Sequence, residues 1–324
     1  LKSITFGENS QLNSLGDSVF SRTQLVSITL PGSVRSLGNS VFSNCSALVS
    51  VTFSEGLTEI GDNTFAYGAA GDDMDNIKSV LETVNLPASL KTIGEQTFLN
   101  CIKLTHVNFA EDSQLEVLPA TTFYNCFNLV SLEIPAGIQE IAGKADPDSP
   151  TSEYNIGLFQ NLSSLTTVTF AEGSSCLKIG VSAFENSGLE SIAIPSSVIS
   201  IGKRAFANTA LKEISVPTTV SRMDSYAFSG CQQLTNVKLS AGLTSIGEYT
   251  FQNCSMLTSI NIPASVTSLS ASAFTGCTKL STVSLDSGNT SFVQDENGVL
   301  FNIDKTEIQF LPATATKFNV PAEM

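Results

Sequence analysis

Apolar and small polar residues alternate in a short run that recurs along the whole chain. The run has the form L-x-x-[VI]-x-[LIF], as in LTSINI at 257–262, and each copy follows a phenylalanine. Alternation with a period of two predicts a β-strand that buries one face. The phenylalanines are mostly 22 to 25 residues apart, at Phe20, Phe42, Phe65, Phe98, Phe123, Phe159, Phe184, Phe206, Phe228, Phe251 and Phe274.

Repeats of this length are typical of a solenoid. One strand cannot bury its apolar row alone, so neighbouring copies must stack side by side and form a parallel sheet. We therefore predict one repeat domain over residues 1–285 with one long parallel β-sheet. Its strand copies begin at Leu1, Leu25, Leu48, Leu81, Leu104, Leu129, Leu165, Leu189, Leu211, Leu234, Leu257 and Leu280.

Glycine and asparagine mark the turn that carries each phenylalanine. A glycine lies four residues before it at Gly16, Gly38, Gly61, Gly94, Gly180, Gly202 and Gly247. Asparagine or glycine lies two residues after it at Asn44, Asn100, Asn125, Asn161, Asn186, Asn208, Gly230, Asn253 and Gly276. Both residue types tolerate the left-handed conformation that ends a helical turn. The pattern predicts a short helical or 3₁₀ turn opposite the sheet.

Six of the seven cysteines occupy one repeat position, three residues after the phenylalanine: Cys45, Cys101, Cys126, Cys231, Cys254 and Cys277. Other copies hold small or apolar residues there, which favours buried free thiols. Stacked strands lie ~4.8 Å apart, beyond the usual Cβ separation of a disulfide. We predict no disulfide, and we expect no zinc site because the chain has no C-x-x-C pair and one histidine.

The full unit I-G-x-x-[AT]-F-x-[NG]-C-x-x-L-x-x-[IV]-x-[IL]-P-x-x-[VL] resembles the BspA-like, or treponemal-type, leucine-rich repeat of bacterial and trichomonad surface proteins. The resemblance implies a leucine-rich-repeat-like right-handed coil. It also implies a non-enzymatic adhesion or interaction module, on the cell surface or secreted, whose partners are host or extracellular-matrix proteins. Members of such a family share a scaffold and differ in what they bind.

Two insertions interrupt the repeat, near residues 66–77 and 142–155. The first contains Gly71-Asp72-Asp73-Met74-Asp75, and the second contains Asp146, Asp148 and Glu153. Clustered carboxylates suit calcium. Neither insertion has the spacing of a known calcium loop, so solvated acidic loops are the favoured interpretation and calcium is the alternative.

The segment 286–324 departs from the repeat. Asn297-Gly298 between two apolar runs predicts a β-hairpin, and 307–311 supplies a further strand. GVLFNIDKT at 298–306 is similar to a segment that punctuates repeat arrays of the same family. We predict a small β cap over the open end of the sheet, where a bare strand would invite aggregation. The last four residues, 321–324, match the start of another repeat, so we expect a piece of a longer protein.

The net charge of −14, with 16 Lys plus Arg, argues against nucleic acid and against an anionic membrane surface as partners. No run approaches the roughly 18 apolar residues of a membrane span, and no signal peptide opens the chain. A signal peptide or anchor would therefore lie outside this segment. We expect a monomer without a cofactor.

The polar positions of each strand predict an outward face of hydroxyls and amides. Those in the middle of the array are the candidate protein-binding residues: Thr83, Asn85, His106, Asn108, Ser131, Glu133, Thr167 and Thr169. The alternative is a solvated sheet surface. His106 is the one histidine, and Glu133 in the next copy is a candidate hydrogen-bond partner, but no nucleophile, paired acids or metal cluster accompanies them. No catalytic residue is therefore predicted.

A carbohydrate-binding module is the alternative function. Sugar sites stack on aromatic rings, and here Trp is absent and Tyr is limited to five residues. Tyr226 and Tyr249 occupy equivalent positions in consecutive copies, which predicts a small stacking platform near the turns.

Overall fold

The computed structural model describes residues 1–68, 77–144 and 156–313. In these residues the chain forms short strands: β1 (Ser14–Leu15), β2 (Ser27–Thr29), β3 (Ser36–Leu37), β4 (Ser50–Thr52), β5 (Glu59–Ile60), β6 (Thr83–Leu86), β7 (Thr92–Ile93), β8 (His106–Phe109), β9 (Ser131–Ile134), β10 (Glu140–Ile141), β11 (Gly143–Lys144), β12 (Ile156–Gly157), β13 (Thr167–Phe170), β14 (Lys178–Ile179), β15 (Ser200–Ile201), β16 (Glu213–Ser215), β17 (Arg222–Met223), β18 (Asn236–Lys238), β19 (Ser245–Ile246), β20 (Ser259–Ile262), β21 (Ser268–Leu269), β22 (Thr282–Leu285), β23 (Phe292–Gln294), β24 (Leu300–Asn302) and β25 (Ile308–Phe310).

The repeats stack as parallel coils, which confirms the predicted solenoid. The main row of strands contains β2, β4, β6, β8, β9, β13, β16, β18, β20 and β22, and equivalent residues pair, as Ser27 does with Ser50. A second row, from β1 to β21, follows the proline turn of most coils, and it too is parallel. The sequence predicted an apolar pair of residues at this place, where the chain turns back toward the core, but it did not predict that these pairs form strands.

The long parallel sheet that was predicted is present as a row of parallel strands, but the row is interrupted. The main row divides into the sheets β2-β4, β6-β8-β9-β13, β16-β18 and β20-β22. The copy at Leu1 forms no assigned strand, and the copy at Leu189 has only a single bridge, between Ser191 and Thr167. Inside-outside alternation is satisfied in these places although ladder hydrogen bonds are missing, because burial and strand pairing are separate requirements.

A column of phenylalanine rings runs through the core. The eleven repeat phenylalanines stack consecutively, with centroids 5.2–5.9 Å apart and ring planes within 2–21° of parallel. The insertions leave the column intact, since Phe65 and Phe98 lie 5.5 Å apart and Phe123 and Phe159 lie 5.9 Å apart. The coils on either side of each insertion are therefore in direct contact through their rings.

The turns that carry these rings are not helical, so the predicted helical or 3₁₀ turn is wrong: the described residues contain no helix. The N–H groups of Ser40, Phe42 and Asn44 donate to carbonyl oxygens of the next coil, each at 2.8 Å. A helix would use these groups within its own turn. Each turn instead forms hydrogen bonds with the equivalent turn of the next coil, so that successive β-turns are joined by a ladder of hydrogen bonds.

Alternating left-handed residues make this ladder feasible. All nine predicted asparagines and glycines after the phenylalanine have positive φ, which confirms that prediction. A second left-handed position, two residues before the phenylalanine, was not predicted. It is occupied by Ser18, Ser40, Asn63, Gln96, Ser182, Arg204, Tyr226 and Tyr249.

The glycine before the turn is required by close contact between coils. A Cβ on Gly202 would lie 2.7 Å from the carbonyl carbon of Gly180, and one on Gly61 would lie 2.6 Å from that of Gly38. The sequence predicted a position where a side chain is costly, and the cause is the neighbouring backbone. Gly16, in the first coil with this position, has no atom within 4 Å of the same point.

The C-terminal strands β23, β24 and β25 form an antiparallel sheet. Its β23–β24 turn contains Asn297 and Gly298, as predicted, with Gly298 at φ 81°. The Phe310 ring meets Phe274 edge-on at 5.9 Å, which closes this end of the phenylalanine column. The Nε2 atom of Gln294 donates to the carbonyl oxygen of Val283 at 2.7 Å.

The predicted calcium ligands lie outside the described residues. These are the carboxylates of both insertions, Asp72, Asp73, Asp75, Asp146, Asp148 and Glu153, and the repeat-like tail at 321–324 lies outside as well. On either side of the second insertion, β11 and β12 pair antiparallel. Among the described residues, none belongs to a helix that could cross a bilayer.

Substitution of a ring in the phenylalanine column tests its contribution. Phe206→Ala removes a fully buried ring that stacks on Phe184 and Phe228, so we expect the free energy of unfolding to fall by about 3–5 kcal/mol. Urea denaturation measures it. The exposed Val26 is the control, and Val26→Ala should change stability by less than about 0.5 kcal/mol. Equal effects of the two substitutions would contradict a buried column.

The glycine column has a matched internal control. Gly202→Ala forces a methyl group against the backbone of the preceding coil, so we expect a loss of about 1–3 kcal/mol. Gly16→Ala occupies the same repeat position but meets no neighbouring atom, and it should be neutral or slightly stabilising. Thermal unfolding of both variants distinguishes contact between coils from a requirement of the turn itself, which would penalise both equally.

Candidate functional site

The outward face of the main row carries all eight candidate residues. They align in two rows across neighbouring strands, because Thr83 pairs with His106, His106 with Ser131, and Ser131 with Thr167. The other four candidates form a parallel line of side chains on the same strands, with Asn85 opposite Asn108 and Glu133 opposite Thr169. Ser131 is half-buried and the other seven are exposed.

A depression opens in this face between β8 and β9. Strands β6 and β8 pair at four positions, but β8 and β9 pair only at His106 and Ser131. Beyond that pair the strands diverge and leave a space of about 350 Å³. Its lining contains five of the eight candidates, and the complete set is Val107, Asn108, Phe109, Ser131, Leu132, Glu133, Thr167 and Thr169.

The depression has a polar floor with one charge. Glu133 is the single ionisable side chain among its lining residues. On the neighbouring strand, Asn108 donates from Nδ2 to Oδ1 of Asn85 at 2.8 Å, which fixes the plane of its amide. The arrangement offers hydroxyls, an amide and one carboxylate, and these groups suit hydrogen bonding to a partner rather than covalent chemistry.

His106 does not form the suggested bond with Glu133. Its Nδ1 atom lies 3.0 Å from Oγ1 of Thr105, and its strand partner is Ser131. Glu133 is two residues further along β9, where the two strands no longer pair. His106 faces Ser131 in this register, so Glu133 does not lie opposite His106.

A second opening lies at a segment that the sequence pattern predicts to be an ordinary strand. Ile192, Ala193 and Ile194 make no backbone hydrogen bond to either neighbouring coil within the described structure. Grooves of about 520 Å³ and 490 Å³ flank this segment, toward β13 and toward β16. Its sequence, LESIAIP at 189–195, matches the repeat, and the one departure is Ala193 where other copies have a polar residue.

The two candidate tyrosines lie on the turns, away from the sheet face. Tyr226 and Tyr249 stack on each other with centroids 4.9 Å apart and an angle of 25° between their planes. The platform predicted from their equivalent positions therefore has two of its ring faces in mutual contact. Arg204 lies over Tyr226, with Cζ 5.4 Å from the ring centroid.

The cysteine column is structural. All seven thiols are free and buried. Each of the six repeat cysteines donates its S–H to the carbonyl oxygen of the phenylalanine in the preceding coil, at 2.9–3.2 Å. The sequence predicted a small buried group, and the structure adds a donor with a defined acceptor. Within the part of the chain that the structure describes, no three His, Cys, Asp or Glu side chains gather as metal ligands would.

These features define a class of protein: a leucine-rich repeat solenoid with an exposed polar face. The chain belongs to the family of the BspA type leucine-rich repeat region, whose sequence model matches it in six copies over residues 1–70, 76–208 and 177–302. No curated protein sequence matches the chain.

Solved structures share this fold. A leucine-rich repeat protein from Bacteroides ovatus is 24% identical, with a TM-score of 0.55 over 85% of this chain and 77% of that one. The pneumococcal vaccine antigen PcpA is 24% identical, with a TM-score of 0.51 over 89% of this chain and 69% of that one. At this level of identity the likeness concerns the fold alone.

Burial of the cysteine column predicts a loss of stability at alkaline pH. Burial raises the pKa of Cys231 from its ordinary value of 9.0 to about 11. Between these values the thiol stays protonated in the folded protein and ionises in the unfolded one, so the free energy of unfolding falls as pH rises. Urea denaturation from pH 8 to pH 11 should show a smaller fall for Cys231→Ala, by up to about 3 kcal/mol. Identical pH profiles would contradict the prediction.

Proposed function

We propose that the chain is a non-enzymatic protein-interaction module, displayed on the cell surface or secreted, that binds a host or extracellular-matrix protein. One observation carries the proposal: two rows of short polar side chains lie in register on the main face and converge on the depression between β8 and β9. Membership of the BspA-type repeat family supports it, since repeat scaffolds of this kind present extended surfaces to partners.

The size of the face fits a protein partner. The four strands from β6 to β13 span about 15 Å at the usual strand spacing, whereas a stable interface buries roughly 800 Å² on each partner. A protein that covers the depression therefore extends along the same face to the grooves beside Ile192 and Ala193. Together the depression and the two grooves form recesses in the surface, into which side chains of the partner insert.

Binding of a partner also orders this face at a small loss of conformational entropy. Its serine, threonine and asparagine side chains have few rotatable bonds, so they lose little conformational entropy when a partner binds. The strands beneath them are anchored by a buried core in which Val107, Leu132 and Val168 are almost completely inaccessible. The surface is therefore already ordered before a partner binds.

Charge favours a basic partner. Glu133 is the charged group of the depression, and the whole chain carries a net charge of −14. A Lys or Arg placed opposite Glu133 gains a charge-assisted hydrogen bond, and the long-range field speeds association at low salt. The same field disfavours acidic partners.

The test uses a panel of purified matrix proteins, including collagen and laminin, immobilised for biolayer interferometry. We expect micromolar or tighter binding to at least one of them. Glu133→Lys should weaken it by about tenfold, mainly through slower association, and Glu133→Gln should have a smaller effect. Added salt should reduce the difference between these variants.

Glu59→Lys is the matched control, because Glu59 is exposed on the second row and the substitution changes the net charge equally. If Glu59→Lys weakens binding as much as Glu133→Lys, net charge and not the depression is responsible. Absence of binding to every protein of the panel at micromolar concentration would count against the proposed function.

A further inference from the structure

Three large residues share an unusual backbone conformation on the turn side of the solenoid. Arg204, Tyr226 and Tyr249 occupy the same repeat position in consecutive coils and have φ values of 56°, 64° and 56°. The left-handed region costs a bulky side chain roughly 1–2 kcal/mol. Other coils place serine, asparagine or glutamine there. Three strained residues in a row indicate that their side chains have a role beyond the turn.

The three side chains form an ordered stack. The ring of Tyr226 lies between Arg204, whose Cζ is 5.4 Å from its centroid, and Tyr249, whose centroid is 4.9 Å away. The interactions on both faces of Tyr226 hold it in place, through a cation–π contact on one side and ring stacking on the other. Tyr226 therefore has no free face, and the stack ends at Tyr249.

The stack is anchored at its other end by a buried carboxylate. Glu185 is 7% exposed, and its Oε1 atom lies 3.4 Å from Nη1 of Arg204. Its Oε2 atom accepts a hydrogen bond from Nε2 of Gln160 at 3.0 Å. A row of contacts thus runs across five coils from Gln160 to Tyr249. The position of the terminal ring is set before any ligand arrives.

The coil after Tyr249 has a short side chain at the equivalent position. Ser272 holds the position where an aromatic residue would continue the stack, and its hydroxyl oxygen lies 2.9 Å from that of Ser270. Glu248, next to Tyr249, is exposed. The Tyr249 ring is partly exposed, and the residues next to it in the chain and at the equivalent position of the following coil carry a carboxylate and a hydroxyl, which are hydrogen-bonding groups.

We propose that the outer face of Tyr249 is a stacking site for a neutral pyranose ring of a carbohydrate. The C–H face of a pyranose packs on an aromatic face, while its hydroxyls bond to polar groups. A cation would favour a cage of several rings, whereas this stack ends in a single tyrosine. The net charge of −14 disfavours nucleotides and other polyanions. The site is separate from the sheet face and does not depend on its function.

The absence of tryptophan makes the experiment direct, since intrinsic fluorescence arises from the five tyrosines. The probes are maltotetraose, cellotetraose and chitotetraose, followed by tyrosine fluorescence and by saturation-transfer NMR. We expect saturable binding of at least one probe, with transfer to an aromatic ring. Tyr249→Ala should weaken binding by about tenfold or more, as loss of a stacking face does, whereas Tyr249→Phe should stay within about twofold of the wild type.

Tyr124→Ala is the control, because it removes a tyrosine from the turn side outside the stack and should leave affinity unchanged. Circular dichroism and thermal unfolding of each variant show that the solenoid is intact. The proposal is overturned if no probe binds at millimolar concentration, or if Tyr249→Ala binds as tightly as the wild type. It is also overturned if arginine amide occupies the site and the sugars do not, since that outcome identifies a cation site.

Discussion

Equivalent residues of successive coils must face one another at the spacing of neighbouring strands, and the rest of this structure depends on that constraint. At the turns this spacing is kept, so each residue meets its own counterpart: phenylalanine stacks on phenylalanine at 5.2–5.9 Å, and Gly202 lies against Gly180. The same constraint brings each repeat cysteine to the carbonyl of the preceding phenylalanine. A residue type that suits a neighbour of its own kind is therefore favoured in every copy.

The turn side and the sheet side of a coil differ in how closely they keep this spacing. On the turn side, Phe98 and Phe123 stack at 5.7 Å and their planes differ by 2°. On the sheet side of the same two coils, β8 and β9 separate after one residue pair. The coils therefore open like a wedge, closed at the rings and open at the face, and the recesses of the candidate binding surface are the open ends of such wedges. A rigid core and a varied surface are compatible because the stacked rings and the hydrogen-bonded turns hold these coils together where their main strands separate.

The outward side chains do not have to match a buried neighbour, so they can vary with function. A polar side chain on the main row has no core to fill, so hydroxyls, amides and the carboxylate of Glu133 differ from coil to coil. On the turn side, Arg204, Tyr226 and Tyr249 use the regular spacing itself, since side chains held one strand apart are at stacking distance. The scaffold thus supports two distinct surfaces, one built where the ladder opens and one where the spacing is kept.

The sequence by itself determined the period, the buried columns, the left-handed asparagines and glycines after nine of the phenylalanines, and the C-terminal hairpin, because each depends on the types of residues close together in the chain. Tertiary structure decided the rest. The turns are not helical because their N–H groups bond to the next coil. In LESIAIP at 189–195, which matches the repeat, the described structure has one bridge, at Ser191, and no named strand. Alternation specifies which side chains face inward, but the distance between neighbouring strands is set by how two coils tilt against each other, and no single repeat encodes that tilt.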